Sequence, residues 1–184
     1  MSPTLTAKGE GEIIVPVAIP PFTKPAYCLP SCTLHRIEDE NPYGRIVSET
    51  LSTMDPWLTL GYSSEDLFNY MRRMDGALHR YFVLISEVPA GVVCVRYPWL
   101  RGPYLELLAL FNPHRGQGIG SQILGWMEEE ARLQSGNLWV LVSSFNRRAR
   151  NFYLNLGFAE IAILPALVKP GYDEILLRKC LQRP

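Results

Sequence analysis

Pro113-His114-Arg115-Gly116-Gln117-Gly118-Ile119-Gly120-Ser121 leads straight into an amphipathic run in which Ile119, Ile123, Leu124, Met127 and Ala131 recur at helical spacing. Glycines at 116, 118 and 120 leave successive backbone N–H groups unshielded, and the first turn of a helix has four such donors without intrahelical partners. An anion site at a helix start is the direct reading. A P-loop would close on Gly-Lys-Ser/Thr, and no lysine follows these glycines. A dinucleotide loop spaces its glycines G-x-G-x-x-G, whereas this one reads G-x-G-x-G. Taken alone, the nonamer also suits an ordinary glycine turn.

Outward from this loop the elements alternate. Upstream, 80–87 and 91–97 are apolar or alternating runs separated by Val88-Pro89-Ala90, which predicts an antiparallel hairpin. The turn Pro98 to Pro103 leads to a third strand over 104–111, which feeds the loop. Downstream, a helix is predicted over 117–133, with Glu128, Glu129 and Glu130 on its polar side and Gly136 beyond its end. A short buried strand over 138–142 and a helix over 146–156 follow, the latter closed by Gly157. Strands over 158–164 and 174–178 finish the chain. Nearer the start, a strand over 32–37 precedes helices over 43–54 and 64–74, the second capped by Ser63 or Ser64 with Glu65 and Asp66 behind it. The result is an α/β (α+β) fold: a mixed sheet with a β-α-β-α core and helices packed on it. The anion then lies beside the carboxyl end of the strand feeding the loop.

The first thirty residues hold Pro3, Pro16, Pro20, Pro21, Pro25 and Pro30, too many for a helix and awkward for a central strand. They read as an extension, with 13–19 as a possible edge strand, and 31–184 as one domain. Lys+Arg and Asp+Glu both number 18, which argues against a polyanionic partner such as nucleic acid. No apolar run reaches the ~20 residues of a membrane span. The N-terminus lacks a secretory pattern, and cysteines 28, 32, 94 and 180 with histidines 35, 79 and 114 lack metal-ligand spacing. A cytoplasmic protein with free thiols and no metal is the expectation.

Ser143-Ser144-Phe145-Asn146 opens the later helix, and Asn146 and Tyr153 are seven residues apart, which places them ~20 degrees from one another on one helix face. Singly, Asn146 reads as an N-cap and Tyr153 as a core aromatic with a wet tip. Together with the loop, Arg115-x-x-Gly118-x-Gly120 and Asn146-x-x-Ala149-x-x-x-Tyr153-x-x-x-Gly157-Phe158 resemble the two acyl-CoA motifs of the Gcn5-related N-acetyltransferase (GNAT) superfamily, in their expected order over 31–180. The resemblance implies a mostly antiparallel central sheet with helices on both faces. It also implies acetyl transfer from acetyl-CoA to a primary amine of a small molecule or peptide. In that family the backbone of Gln117, Gly118, Ile119, Gly120 and Ser121, with Arg115 and Gly116 shaping the turn, would hold the pyrophosphate. Leu108, Ala109 and Leu110 would pair with the pantetheine arm, Asn146 would bond it, and Tyr153 would protonate the departing thiolate. One departure is that only His114 separates Pro113 from Arg115, where the family commonly has two residues; this shifts the register of the strand contacts.

An alkylammonium must lose a proton before it attacks, its reference lying near the lysine value of about 10.4. Glu106 on the strand entering the loop is the first candidate base, with a structural ion pair as the competing role. A backbone N–H of the same strand would meet the oxyanion. Asp55 for an ammonium, with Trp57, Tyr62, Trp99 and Tyr104 as an apolar pocket, are candidate acceptor residues; core packing or turn chemistry would explain them too. Tyr172, Asp173 and Glu174 read equally as acceptor contacts or as a turn. The last strand, if exposed, would allow a homodimer. A non-catalytic acyl-CoA sensor or interaction module is the alternative function, and it would not need Tyr153.

Overall fold

The computed structural model describes residues 20–38 and 42–181. In chain order these form β1 (Ala26–Cys28), β2 (Thr33–Arg36), α1 (Gly44–Ser52), α2 (Trp57–Leu60), α3 (Ser64–Arg72), β3 (Leu78–Ile85), β4 (Val88–Trp99), β5 (Gly102–Leu110), α4 (Ile119–Ala131), β6 (Asn137–Ser143), α5 (Arg147–Asn155), β7 (Ala159–Lys169) and β8 (Tyr172–Cys180). One sheet contains all the described strands in the order β1-β2-β3-β4-β5-β6-β8-β7. Every neighbouring pair is antiparallel except β5 and β6. This is the mixed, mostly antiparallel sheet expected from the sequence.

The centre of the sheet is covered on both faces, so β3 and β4 carry near-continuous apolar runs rather than an alternation. On one face Ile119, Ile123, Leu124 and Met127 of α4 and Tyr153 of α5 pack with Val93, Val95, Val140 and Ile175. On the other, Val47 and Leu51 of α1 and Leu67 and Met71 of α3 pack with Phe82, Val92 and Leu107. Each fully buried aliphatic or phenyl side chain contributes about 1.5–3 kcal/mol.

Four local expectations change. Val88-Pro89-Ala90 belongs to β4, and the hairpin turns at Ser86-Glu87, both with positive φ (49° and 64°). The next hairpin turns at Leu100-Arg101 in the same way (37° and 62°) rather than through six residues. Neither pair contains the Gly or Asn that announces such two-residue turns. Residues 20–30 are also not outside the fold. Phe22 is fully buried, its N–H donates to Glu130 Oε2 (3.0 Å), and β1 pairs with β2. Tyr27 donates to the same oxygen (2.9 Å), strapping this segment to α4. The candidate strand over 13–19 lies outside the described residues. Finally, β8 is interior, between β6 and β7; the edge that was expected of the last strand is β7, with Ile161, Ile163 and Leu167 exposed along it.

Candidate active site

The site begins where the parallel pair comes apart. Residues of β5 and β6 register only at Tyr104 with Trp139 and Leu105 with Val140; beyond these, β5 runs on to Leu110 and β6 to Ser143 without pairing to each other. On its other side β5 carries a bulge: Leu105 faces Val95 and Leu107 faces Cys94, so Glu106 is the extra residue. Two cavities open at this divergence. One, of about 470 Å³, is lined by Leu108, Ala109, Leu110, Arg115 and the glycine loop. The other, of about 300 Å³, is lined by Tyr104, Glu106, Ser143 and Glu174. Trp57, Leu108, Asn146 and Tyr153 belong to both walls, so the cavities meet at the second helix.

In the first cavity the glycines do different work. Gly116 and Gly118 have φ of 77° and 80°, and a Cβ on either would meet nothing within 4 Å, so positive φ is what they supply. At Gly120 a Cβ would lie 3.1 Å from the Phe152 ring, so this glycine lets α5 approach α4. Gly118 caps α4 without a side-chain hydrogen bond, and the first turn has no acidic residue. The helix therefore presents unpaired N–H groups and its positive end to the cavity, a donor set that fits a pyrophosphate. Arg115 Nε donates to the Leu110 carbonyl (2.6 Å), closing the turn and using one backbone acceptor of the splayed strand. Ser121 also lines this cavity. The Gln117 side-chain amide donates through Nε2 to the Pro113 carbonyl (3.1 Å) and the Ile119 side chain is buried in the core, so these two residues offer the cavity only their backbone.

At the junction, Asn146 Oδ1 accepts from the Ala149 N–H (3.2 Å), so the residue is an N-cap as well as a wall of both cavities. Tyr153 is buried beside Phe152 and Phe158, ring centroids 5.2 and 5.6 Å away. Burial pushes its phenol well above the usual range, so the hydroxyl keeps its proton. Among the described residues no group hydrogen-bonds that hydroxyl.

The second cavity is acidic. Glu106 Oε2 accepts from Arg96 Nε (2.5 Å) and its Oε1 from Arg96 Nη2 (3.3 Å) and the Tyr70 hydroxyl (3.1 Å), so the ion pair weighed against a base is present. Glu174 differs. It is buried, Oε1 accepts from Ser143 Oγ (2.7 Å), and Oε2 has no partner among the described residues. Burial raises its carboxyl above the ordinary glutamate value. Asp66 also lines this cavity, and its carboxylate sits below the usual range because it accepts from Ser63 Oγ (2.6 Å) and N–H (3.0 Å). Trp57 and Tyr62 line it. Asp55 does not: it borders the first cavity and accepts from Thr59 Oγ1 (2.6 Å). Trp99 borders neither, being packed on Tyr104 and Trp139 with centroids 4.8 and 5.8 Å away. Among the described residues no His, Cys, Asp and Glu group is placed to hold a metal, and no helix is long and apolar enough to cross a membrane.

Comparison with known proteins agrees with this geometry. Aminoalkylphosphonate N-acetyltransferase from Salmonella typhimurium is 44% identical over 57 residues, 30% of this chain and 37% of that relative, so well under half of the relative is matched. The crystal structure of nourseothricin acetyltransferase aligns at 26% identity with a TM-score of 0.53, covering 59% of this chain and 68% of its own. A GNAT family acetyltransferase from Elizabethkingia anophelis with acetyl-CoA bound shares the fold at 20% identity, TM-score 0.62, covering 83% and 99%. A family model, Acetyltransferase (GNAT) family, matches residues 39–158. That span is more than half of the chain and contains both the loop and the Asn146 helix, so the protein belongs to the GNAT acetyltransferase family, whose acyl donor is acetyl-CoA.

Proposed function

We propose that the protein moves an acetyl group directly from acetyl-CoA to the primary amine of a small acceptor. One observation carries this reading: two cavities of different chemistry share Tyr153 and Asn146 as a common wall. Acetyl-CoA supplies the acyl group in activated thioester form. The N–H groups opening α4 hold its pyrophosphate, and the edge of β5 that β6 leaves free from Leu108 to Leu110, less the Leu110 carbonyl, borders its arm.

The chain's own groups supply the proton traffic. Glu174, with an uncommitted oxygen, accepts a proton from the entering amine. Glu106, both of whose oxygens are engaged, takes no proton and acts as fixed negative charge in the cavity wall. A backbone N–H of splayed β5 stabilises the oxyanion. Tyr153 gives its proton to the leaving sulfur as the carbon–nitrogen bond replaces the carbon–sulfur bond, and the tyrosinate so formed takes up the second proton, the one the acylated nitrogen sheds. A pure acyl-CoA sensor needs only the first cavity, so the carboxylate-lined second one favours the catalyst. Thiol release from acetyl-CoA across an amine panel tests the proposal. Absence of release with every amine, alongside thermal stabilisation by acetyl-CoA, would establish the sensor instead.

A further inference from the structure

The wall of the second cavity says more about the acceptor than that it is an amine. Asp66, Glu106 and Glu174 line it, and among the described residues no lysine, arginine or histidine does. Arg96 is shared between Glu106 and Asp75 (2.9 Å to Asp75), so these three groups together keep one formal negative charge in excess, while Arg80 donates to the Arg73 carbonyl (2.6 Å) and Lys169 Nζ to the Thr59 carbonyl (2.9 Å). Trp57, Tyr62, Tyr70 and Tyr104 supply aromatic faces, which suit alkylammonium groups.

The carboxylates are also separated. Glu106 is on β5 and Glu174 on β8, with β6 between them, so two strand spacings, on the order of 10 Å, part their backbones. A molecule with one cationic nitrogen answers one of these ends and leaves the other, Glu174 or the Glu106–Arg96–Asp75 cluster with its excess negative charge, facing an apolar chain. A phosphonate or carboxylate on the acceptor would meet only like charge.

Resting on the transfer reading above, we propose that the acceptor is a compact diamine: one nitrogen is acetylated while the second stays an ammonium against the opposite carboxylate. An aminoalkylphosphonate, the acceptor named for the Salmonella relative, is then a poor substrate here. The cavity's volume of about 300 Å³, at the small end of ligand sites, favours such a molecule over a peptide segment.

The test compares cadaverine, n-pentylamine and aminoethylphosphonate by thiol release with acetyl-CoA. The expected result is a kcat/KM for cadaverine about 10- to 100-fold above that for pentylamine, with the phosphonate lowest. Equal values for diamine and monoamine, or a preference for the phosphonate, overturn the proposal. Val168 is 44% exposed on the cavity rim, so Val168→Lys adds a cation without disturbing the core. It should lower the cadaverine value about 10-fold and raise the phosphonate value; unchanged selectivity counts against the proposal. Calorimetric titration of the same amines into protein saturated with coenzyme A separates the two readings. Tighter diamine binding without thiol release sustains the ligand class and overturns transfer; equal binding overturns the ligand class.

Discussion

A buried phenol that keeps its proton and a buried carboxyl held above its ordinary range face the same cavity, and these two side chains bear the sharpest predictions. Tyr153→Phe keeps the ring packed against Phe152 and Phe158 but removes the acid, so turnover should fall about 100-fold while acetyl-CoA affinity barely changes. Steady-state thiol release with a parallel binding titration checks this, and full turnover would take Tyr153 out of the chemistry. Glu174 must be ionised to accept a proton, so activity should fall as pH drops through its raised pKa, and Glu174→Gln should erase that limb of the pH–rate profile. The same burial has a consequence for stability. A carboxyl whose folded pKa is raised costs stability as pH rises through that pKa, so Glu174→Gln should melt about 2–4 °C higher at neutral pH, and no higher at a pH below the ordinary carboxylate range. Glu174 was hard to read in the sequence because it follows a turn, and its burial depends on Ser143, 31 residues away. Glu106 was legible as a carboxylate entering the site. Its tie to Tyr70, 36 residues away, and the bulge that interrupts strand alternation were not.

Elements were predicted well wherever their signals are local. Helical spacing of apolar residues marked α4, Gly157 with φ of 86° follows α5, and Ser63 forms a capping box with Asp66 at α3. The hairpins were misplaced because Ser86-Glu87 and Leu100-Arg101 adopt positive φ without glycine or asparagine; strand pairing imposes that conformation. At the loop, Gly118→Ala meets no steric obstacle but must hold φ near 80°. It should therefore cost about 1–2 kcal/mol of stability and weaken acetyl-CoA binding about 10-fold by displacing the N–H groups of α4. Chemical denaturation and a binding titration read the two effects, and unchanged affinity would remove the loop from the pyrophosphate site.

For the molecule as a whole, the strap from residue 20 to β1 is the feature composition concealed. Its prolines suggested an appendage, yet Phe22 inserts fully into the core and meets the Trp126 ring edge-on, centroids 5.3 Å apart. Phe22→Ala should cost about 3–5 kcal/mol in urea denaturation, whereas a true appendage would lose nothing. By itself the sequence determined most of the element types, the mixed sheet, the glycine loop that opens α4 and the placing of Asn146 and Tyr153 on one short helical segment, because periodicity, glycine spacing and caps are written within a few residues of each other. Only the tertiary structure decided that β5 and β6 part after Leu105 and Val140, that two cavities meet at Tyr153, and that Trp99 and Asp55 stand outside the wall of the second cavity while Glu174 stands in it. Those features join residues from distant segments across the sheet, and whether a charge faces a cavity or a partner is set by what packs opposite it.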